Sequence, residues 1–434
     1  MERHLAAPVA LASALAGAVV TLTPAPATAA PTCHGKRATI VGSGPDTLYG
    51  TRGRDVIVTN SASRVRARKG ADLICVTGTA SVAVKAGHGD DVVDVQSQSS
   101  DVYYYSGTGS DVFDGNNQYT VVVLRPDGHD VVSTYGGGDV VSVKSIPGAG
   151  RPRISLGGGD DQLHLELASL AGRVDAGPGE DLMTVFRSSK QRWAFDNRRG
   201  RASAGHEVRF RWHSFESFDL SLLQAPAVDF TGSDRAESFH AQNFPKESRE
   251  LTLSMGGGDD DVTVYARSHG SVDGGPGRDR LTIAGDDRDR GTTVVADLAA
   301  GTATVSNRTT QSWQLSGLED LLAESVRAAA LHGDDGPNEL SVLYVCAPTL
   351  DGRGGNDTLD GREESCTHPF ASPAHGPVIV AGGSGDDTMY GGAGDDALDG
   401  GDGTDTADGG AGADACSAEV RSACELPAPV PVHG

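Results

Sequence analysis

Apolar residues in this chain come in short bursts, set between turns rich in Gly and Asp. VVDVQ from Val92, VVSVKS from Val140 and LTI from Leu281 have the Val, Thr and Leu content of strands. The pattern is most regular from Gly382 to Ser417, where Gly-Gly returns at 382, 391, 400 and 409. Each unit opens with turn residues and closes with a minimal strand, as in GGAGDD followed by ALD from Gly391. Side chains alternate in a strand, so each unit can point one residue inward: Met389, Leu398, Ala407 and Cys416. Glycine suits turns that visit positive φ and bring backbone against backbone. Two units then form one coil with a strand on each side, and stacked coils bury a thin core between two parallel sheets.

A weaker echo of the turn, Gly-x-Asp-x-aliphatic, runs upstream. It appears at Gly44-Pro45-Asp46, Gly89-Asp90-Asp91, Gly137-Gly138-Asp139, Gly258-Asp259-Asp260 and Gly355-Asn356-Asp357, among others, mostly at steps of 17 to 22 residues. One coil per step is implied, with one turn kept and the opposite one degenerate. The expected fold is all-β: an elongated parallel β-roll or β-helix solenoid with coils of about 18–20 residues. A stacked globular β-sandwich is the alternative for the upstream part. A larger repeat is also visible. RISLGGGDDQLHLE from Arg153 returns as TLSMGGGDDDVTVY from Thr252, about 100 residues later.

Composition sharpens this picture. The 434 residues suffice for two or three ordinary domains or one long array. With 59 Gly and only 5% aromatics, an array needs fewer large side chains than a conventional core. The net charge of −23 makes nucleic acid and anionic membranes poor partners and cations good ones. Arg3, an apolar run from Leu5 to Leu22 and the small residues Ala27-Thr28-Ala29 read as a secretory signal peptide, hence an extracellular protein. A membrane anchor is the competing reading, disfavoured by Pro8 and the many alanines. No second apolar run of membrane length follows, so no membrane span is expected. Six cysteines in an oxidising compartment suggest neighbour disulfides: Cys33 with Cys75, Cys346 with Cys366, Cys416 with Cys424. A zinc site is the rival, but no Cys-x-x-Cys occurs.

The aspartates carry the candidate chemistry. Asp387, Asp396, Asp405 and Asp414 hold one position in successive units, so Asp387 should stack on Asp405 and Asp396 on Asp414. Stacked carboxylates repel unless a cation lies between them, and calcium takes six to eight oxygen ligands, carbonyls included. Gly382 to Asp414 holds nine Asp and no Lys or Arg, so this segment should be unfolded without metal. A disordered Gly/Asp linker is the bland alternative, which would not keep a nine-residue register four times.

These units resemble the GGxGxDxUx nonapeptide of RTX-type calcium-binding β-rolls, and the whole chain resembles secreted RTX-like proteins of high-GC Gram-positive bacteria. The resemblance implies calcium held by Asp387, Asp396, Asp405, Asp414, Asp386, Asp395 and Asp357, with Gly383, Gly385, Gly392, Gly394, Gly401 and Gly403. In degenerate turns a lone Asp without a stacked partner would only cap its own turn. The segment from Thr32, with Cys75, looks like the N-terminal cap of such proteins, and Asp297 to Leu322 resembles an insert they carry. The expected organisation is a signal peptide over 1–29, degenerate solenoid over 30–152, and duplicated β modules over 153–250 and 251–342. A degenerate repeat with a disulfide loop follows over 343–381, the tandem calcium-binding β-roll over 382–417, and a cap and tail over 418–434.

No Gly-x-Ser-x-Gly elbow occurs, and His206-Glu207 lacks the second histidine of a zincin helix. The basic runs Arg187–Arg211, with Trp193, Phe195, Phe210 and Trp212, and Arg64–Lys69 read as solvated strand faces, with an acidic polymer as the alternative ligand. The expected function is a non-enzymatic, secreted calcium-binding repeat protein with a structural or surface-polymer role and calcium-linked folding. The alternative is a β-helical polysaccharide lyase or epimerase that uses calcium.

Overall fold

The computed structural model describes residues 30–144, 150–166, 171–188, 190–205, 207–242, 248–285, 291–362 and 376–426. The expected signal peptide and Cys366 lie outside these residues. The described chain is all-β, without a helix, and its parallel strands stack as a β-solenoid of about 17 turns. This is the expected fold class, and it removes the sandwich alternative.

The chain passes alternately through two parallel sheets. One begins Thr47–Tyr49, Arg64–Lys69, Val82–His88, Val102–Thr108 and runs to Val420–Ser422. The other begins Ile40–Val41, Val56–Val58, Leu73–Val76, Val92–Val95 and runs to Ala415–Ser417. Inward side chains stack in columns. In the first sheet Tyr104 lies between Val84 and Val122, and further along Phe218 lies beside Phe239. The column ends Leu359, Met389, Ala407. Met389, Leu398, Ala407 and Cys416 are fully buried, as their alternation requires.

Coil length varies more than the tandem repeat suggests. Equivalent positions are 18 residues apart at Asp387 and Asp405, 22 at Asp139 and Asp161, and 40 at Asp279 and Glu319. Two of the longest coils hold a local excursion. Trp193–Asp196, Arg201–Ala204 and Glu207–His213 form an antiparallel meander inside the second sheet, and its outer strands pair in parallel with the neighbouring rungs. Thr293–Asp297, Thr302–Ser306 and Thr310–Ser316 repeat this in the segment expected to resemble the insert.

The basic run around Trp193 sorts by side. Trp193, Phe195, Phe210 and Trp212 are core residues, and Phe195, Trp212, Phe218, Phe230 and Phe239 form a chain of rings with centroids 4.9–6.3 Å apart. These aromatics are therefore unavailable to a polymer. The arginines face outward onto carboxylates, Arg192 on Asp229 at 2.8 Å and Arg199 on Asp196 at 2.9 Å.

The N-terminal hairpin, Thr32–Cys33 with Lys36–Arg37, does not close the end of the rod. It lies on the outer face of the second sheet, where Cys33 clusters with Val56, Val58, Leu73 and Cys75. Disulfides Cys33–Cys75 and Cys416–Cys424 are formed. The partner expected for Cys346 lies outside the described residues.

Candidate metal centre

Each coil turns a corner just before a strand begins, and the corner leaves a backbone N–H without a sheet partner. A carboxylate from the next coil accepts it. The N–H of Asp387 donates to Oδ1 of Asp405 at 2.9 Å, and that of Asp396 to Oδ1 of Asp414 at 2.8 Å. The expected stacking is therefore present, and each carboxylate also bridges two coils.

The stack is far longer than the tandem repeat. On the corner entering the second sheet, Asp55, Asp72, Asp91, Asp111 and Asp130 link in the same way over 2.8–3.0 Å. The row then changes sides. On the corner entering the first sheet, the N–H of Asp139 donates to Asp161 and that of Asp161 to Asp181. Glu237, Asp260 and Asp279 continue it, ending on Glu319. Asn338, Asp357, Asp387, Asp405 and Glu419 complete this edge. This corrects the expectation for most degenerate turns: aspartates such as Asp72, Asp91 and Asp111 have stacked partners and cap a neighbouring coil, whereas the Asp55 carboxylate caps its own turn at Thr51. Coils of unequal length hid the register in the sequence. Glu216, Glu237, Glu319 and Asn338 were missed as members; the available signal was a carboxylate or amide immediately before or at the start of a strand.

Only half of most carboxylates is satisfied. Among the described residues, thirteen rung aspartates are buried with Oδ2 lacking any partner, including Asp72, Asp91, Asp111, Asp357, Asp387, Asp405 and Asp414. Burial pushes their carboxyls upward, Asp387 to about 6, Asp357 and Asp91 to about 7 and Asp111 to about 8, against the lowering effect of the accepted N–H. Asp405 and Asp414 are raised by the same cause. Asp396 differs from its three companions, because its Oδ2 accepts the Gly392 N–H. Asp55 is closed similarly by Thr51.

The glycines make the space. A Cβ on Gly382, Gly400 or Gly352 would collide with Oδ2 of Asp387, Asp405 or Asp357. The first glycine of each unit is thus the floor on which the carboxylate folds back, a role its φ does not reveal. Gly401 (φ 96°) and Gly383 (φ 116°) need glycine for backbone reasons, and a side chain on Gly401 would strike the Gly383 carbonyl. Gly385 and Gly403 repeat this pair two residues later, and Gly394 is buried in the Asp396 turn. The Gly392 carbonyl accepts the Ala411 N–H at 3.0 Å.

Asp386 and Asp395 form an outer row. They are exposed, and Oδ1 of each accepts the N–H of Thr404 or Ala413 in the next coil. Elsewhere, His34, Cys75 and Asp94 bring three metal-type atoms together, but the Cys75 sulfur is bonded to Cys33 and is not a free thiolate.

Orphaned, buried carboxylate oxygens over side-chain-free floors fit a hard cation with oxygen ligands. Among the described residues no helix is long and apolar enough to cross a membrane. No curated protein matches the chain. The family model of the RTX calcium-binding nonapeptide repeat matches it in four copies, within residues 40–62, 349–364 and 381–415. The chain therefore carries RTX calcium-binding nonapeptide repeats on an all-β parallel solenoid.

Proposed function

We propose that this is a secreted, non-enzymatic calcium-binding repeat protein whose rod is completed by the metal. The column of buried aspartates with partnerless Oδ2 atoms carries the reading. A buried carboxylate that is neither paired nor fully hydrogen-bonded is costly, and several along one edge are costlier. When bound, calcium supplies the compensating charge. Asp357, Asp387, Asp405 and Asp414 offer free carboxylate oxygens, and Gly383, Gly385, Gly401 and Gly403 offer turn carbonyls. Asp386 and Asp395 can add oxygens from the outer row. Asp396, with Gly392 and Gly394, joins once the Gly392 N–H releases Oδ2. The same reasoning extends upstream to Asp72, Asp91, Asp111, Asp130, Asp139, Asp161 and Asp181, beyond the matched repeats.

Secretion rests on the N-terminal segment, and N-terminal sequencing of protein from the medium should begin near Ala30. A lyase or epimerase would need an Asp free to act beside an Arg. Two Asp–Arg pairs along the rod are closed in this respect: Arg278 grips both oxygens of Asp320 at 2.8 and 2.9 Å, and Arg353 both of Asp297 at 2.7 and 2.8 Å.

Calcium titration of the chain, followed by far-UV circular dichroism and calorimetry, tests the proposal. The β-signal and binding heat should rise at sub-millimolar to millimolar calcium, as for extracellular sites of about 0.1–1 mM. Both should shrink in Asp387→Ala/Asp405→Ala. A chain whose signal and heat ignore calcium overturns it.

A further inference from the structure

The first coils contradict the charge of the rest. Residues 30–88 hold nine Lys or Arg against three Asp, inside a chain of net charge −23. Two of those three, Asp55 and Asp72, are buried corner rungs. Five of these cations, Arg64, Arg66, Arg68, Lys69 and Lys85, lie on two adjacent strands of the first sheet. Its parallel register aligns Tyr49, Arg66, Lys85 and Tyr105 in one outward column, and puts Arg64, Ala83 and Tyr103 in the next. Tyr49, Tyr103 and Tyr105 are 53%, 40% and 39% exposed.

These cations are free in a way others here are not. Arg192, Arg199, Arg278 and Arg353 each hold a carboxylate. Arg64, Arg66, Lys69 and Lys85 make no ion pair with a described residue. Lys85 sits over the Tyr105 ring at 5.2 Å, and Arg68 over Tyr49 at 5.4 Å. Each of these two cations thus rests over a ring from a neighbouring strand. Tyr103 meets Tyr119 edge-on at 6.5 Å.

We propose that this face binds an acidic polysaccharide. Arginine and lysine take carboxylate or sulfate groups, arginine in two-point fashion. Exposed tyrosine rings offer flat apolar faces with a polar tip, suited to the C–H face of a sugar and its hydroxyls. Successive charges in the column are one strand apart, about 4.8 Å, close to the rise of an extended pyranose chain. The partner's charge density selects further. A nucleic acid duplex carries one charge per roughly 1.7 Å and would be strongly repelled by the acidic coils beyond the patch. A glycan with one carboxylate per sugar is repelled less. This site is independent of the aspartate rows, which occupy the corners and not the face.

Short oligogalacturonate provides the probe, titrated calorimetrically into the full chain with calcium present, beside neutral dextran oligomers. Oligogalacturonate should bind, dextran should not, and salt should weaken the binding. Arg66→Glu/Lys85→Glu should weaken it by at least about tenfold with the β-signal unchanged. Tyr103→Ala/Tyr105→Ala should weaken it several-fold. Tyrosine fluorescence of the unaltered chain, changed by the sugar and restored by salt, gives a readout that needs no variant. Absence of binding overturns the proposal. So does binding that survives the charge reversal, since calcium bridges to the aspartates would then carry it. Equal affinity for single-stranded DNA would mark a general polyanion face, and self-association abolished by the reversal would mark a contact between copies; either overturns it.

Discussion

Replacing Asp387 by Asn should stabilise the metal-free chain and lose that advantage when calcium is present. Oδ1 of Asp387 accepts the Asp357 N–H at 2.9 Å, and an amide oxygen can do the same. Oδ2 has no partner, and an uncharged amide there removes a buried charge. The solenoid already accommodates an amide in this row: Asn338 accepts the Asp334 N–H at 2.8 Å and donates to the Glu319 carbonyl at 2.9 Å. Burial raises the Asp387 carboxyl from 3.8 to about 6, roughly two units, or about 3 kcal/mol at neutral pH. The turn lies one layer beneath water, so screening reduces this to about 1.5 kcal/mol. The metal-free variant should therefore be more stable than the unaltered chain by about that amount. At about 2 mM calcium, a site of about 0.1 mM contributes about 1.8 kcal/mol to the unaltered chain, and the variant forfeits it. Urea unfolding followed by circular dichroism, with chelator and with calcium, reads both differences. A variant destabilised equally in both conditions would show that the carboxylate is only a cap for the Asp357 N–H. A variant stabilised by the same amount in both would show that no cation uses Asp387.

The metal-free chain should also prefer acid. Asp91, Asp139 and Asp181 are raised to about 7 and Asp111 to about 8, chiefly by burial. The folded state therefore keeps protons that the unfolded chain releases near pH 4. Their contribution is intact below that and is lost as pH rises through 6–8. Metal-free β-signal should fall between pH 5 and 8, and calcium should restore it at the alkaline end; a signal flat or rising with pH contradicts the burial argument. Gly400→Ala should weaken the calcium response without a φ penalty, because the three atoms nearest the new methyl all belong to Asp405. A calcium titration curve identical to the unaltered chain's would show that Asp405 need not fold over its glycine.

The sequence showed most where the units are uniform. Nine-residue spacing placed Met389, Leu398, Ala407 and Cys416 inside and stacked Asp387 on Asp405, while neighbour order along the chain paired Cys33 with Cys75 and Cys416 with Cys424. It showed less where coils change length, because steps such as the 19 residues from Asp111 to Asp130 and the 22 from Asp139 to Asp161 share no fixed period. The change of side between Asp130 and Asp139 is invisible for the same reason. Around Trp193 and Trp212, alternating arginines marked an outer face correctly, but the inward rings between them were legible only as part of that run. The antiparallel meanders left no periodic trace, since their pairing depends on a return of the chain and not on a repeat.

Those meanders carry a consequence for assembly. Coils this alike can slip past one another by a whole turn and still keep apolar residues inside and carboxylate above amide. A three-strand antiparallel insertion has only one complementary place in such a stack. The two meanders therefore act as registration keys, dividing a long, nearly translational ladder into shorter stretches within which a misthreaded coil can be corrected locally. Beyond the second key no such meander occurs among the described residues, and there the Cys416–Cys424 bridge fixes the final turn at the end of the count.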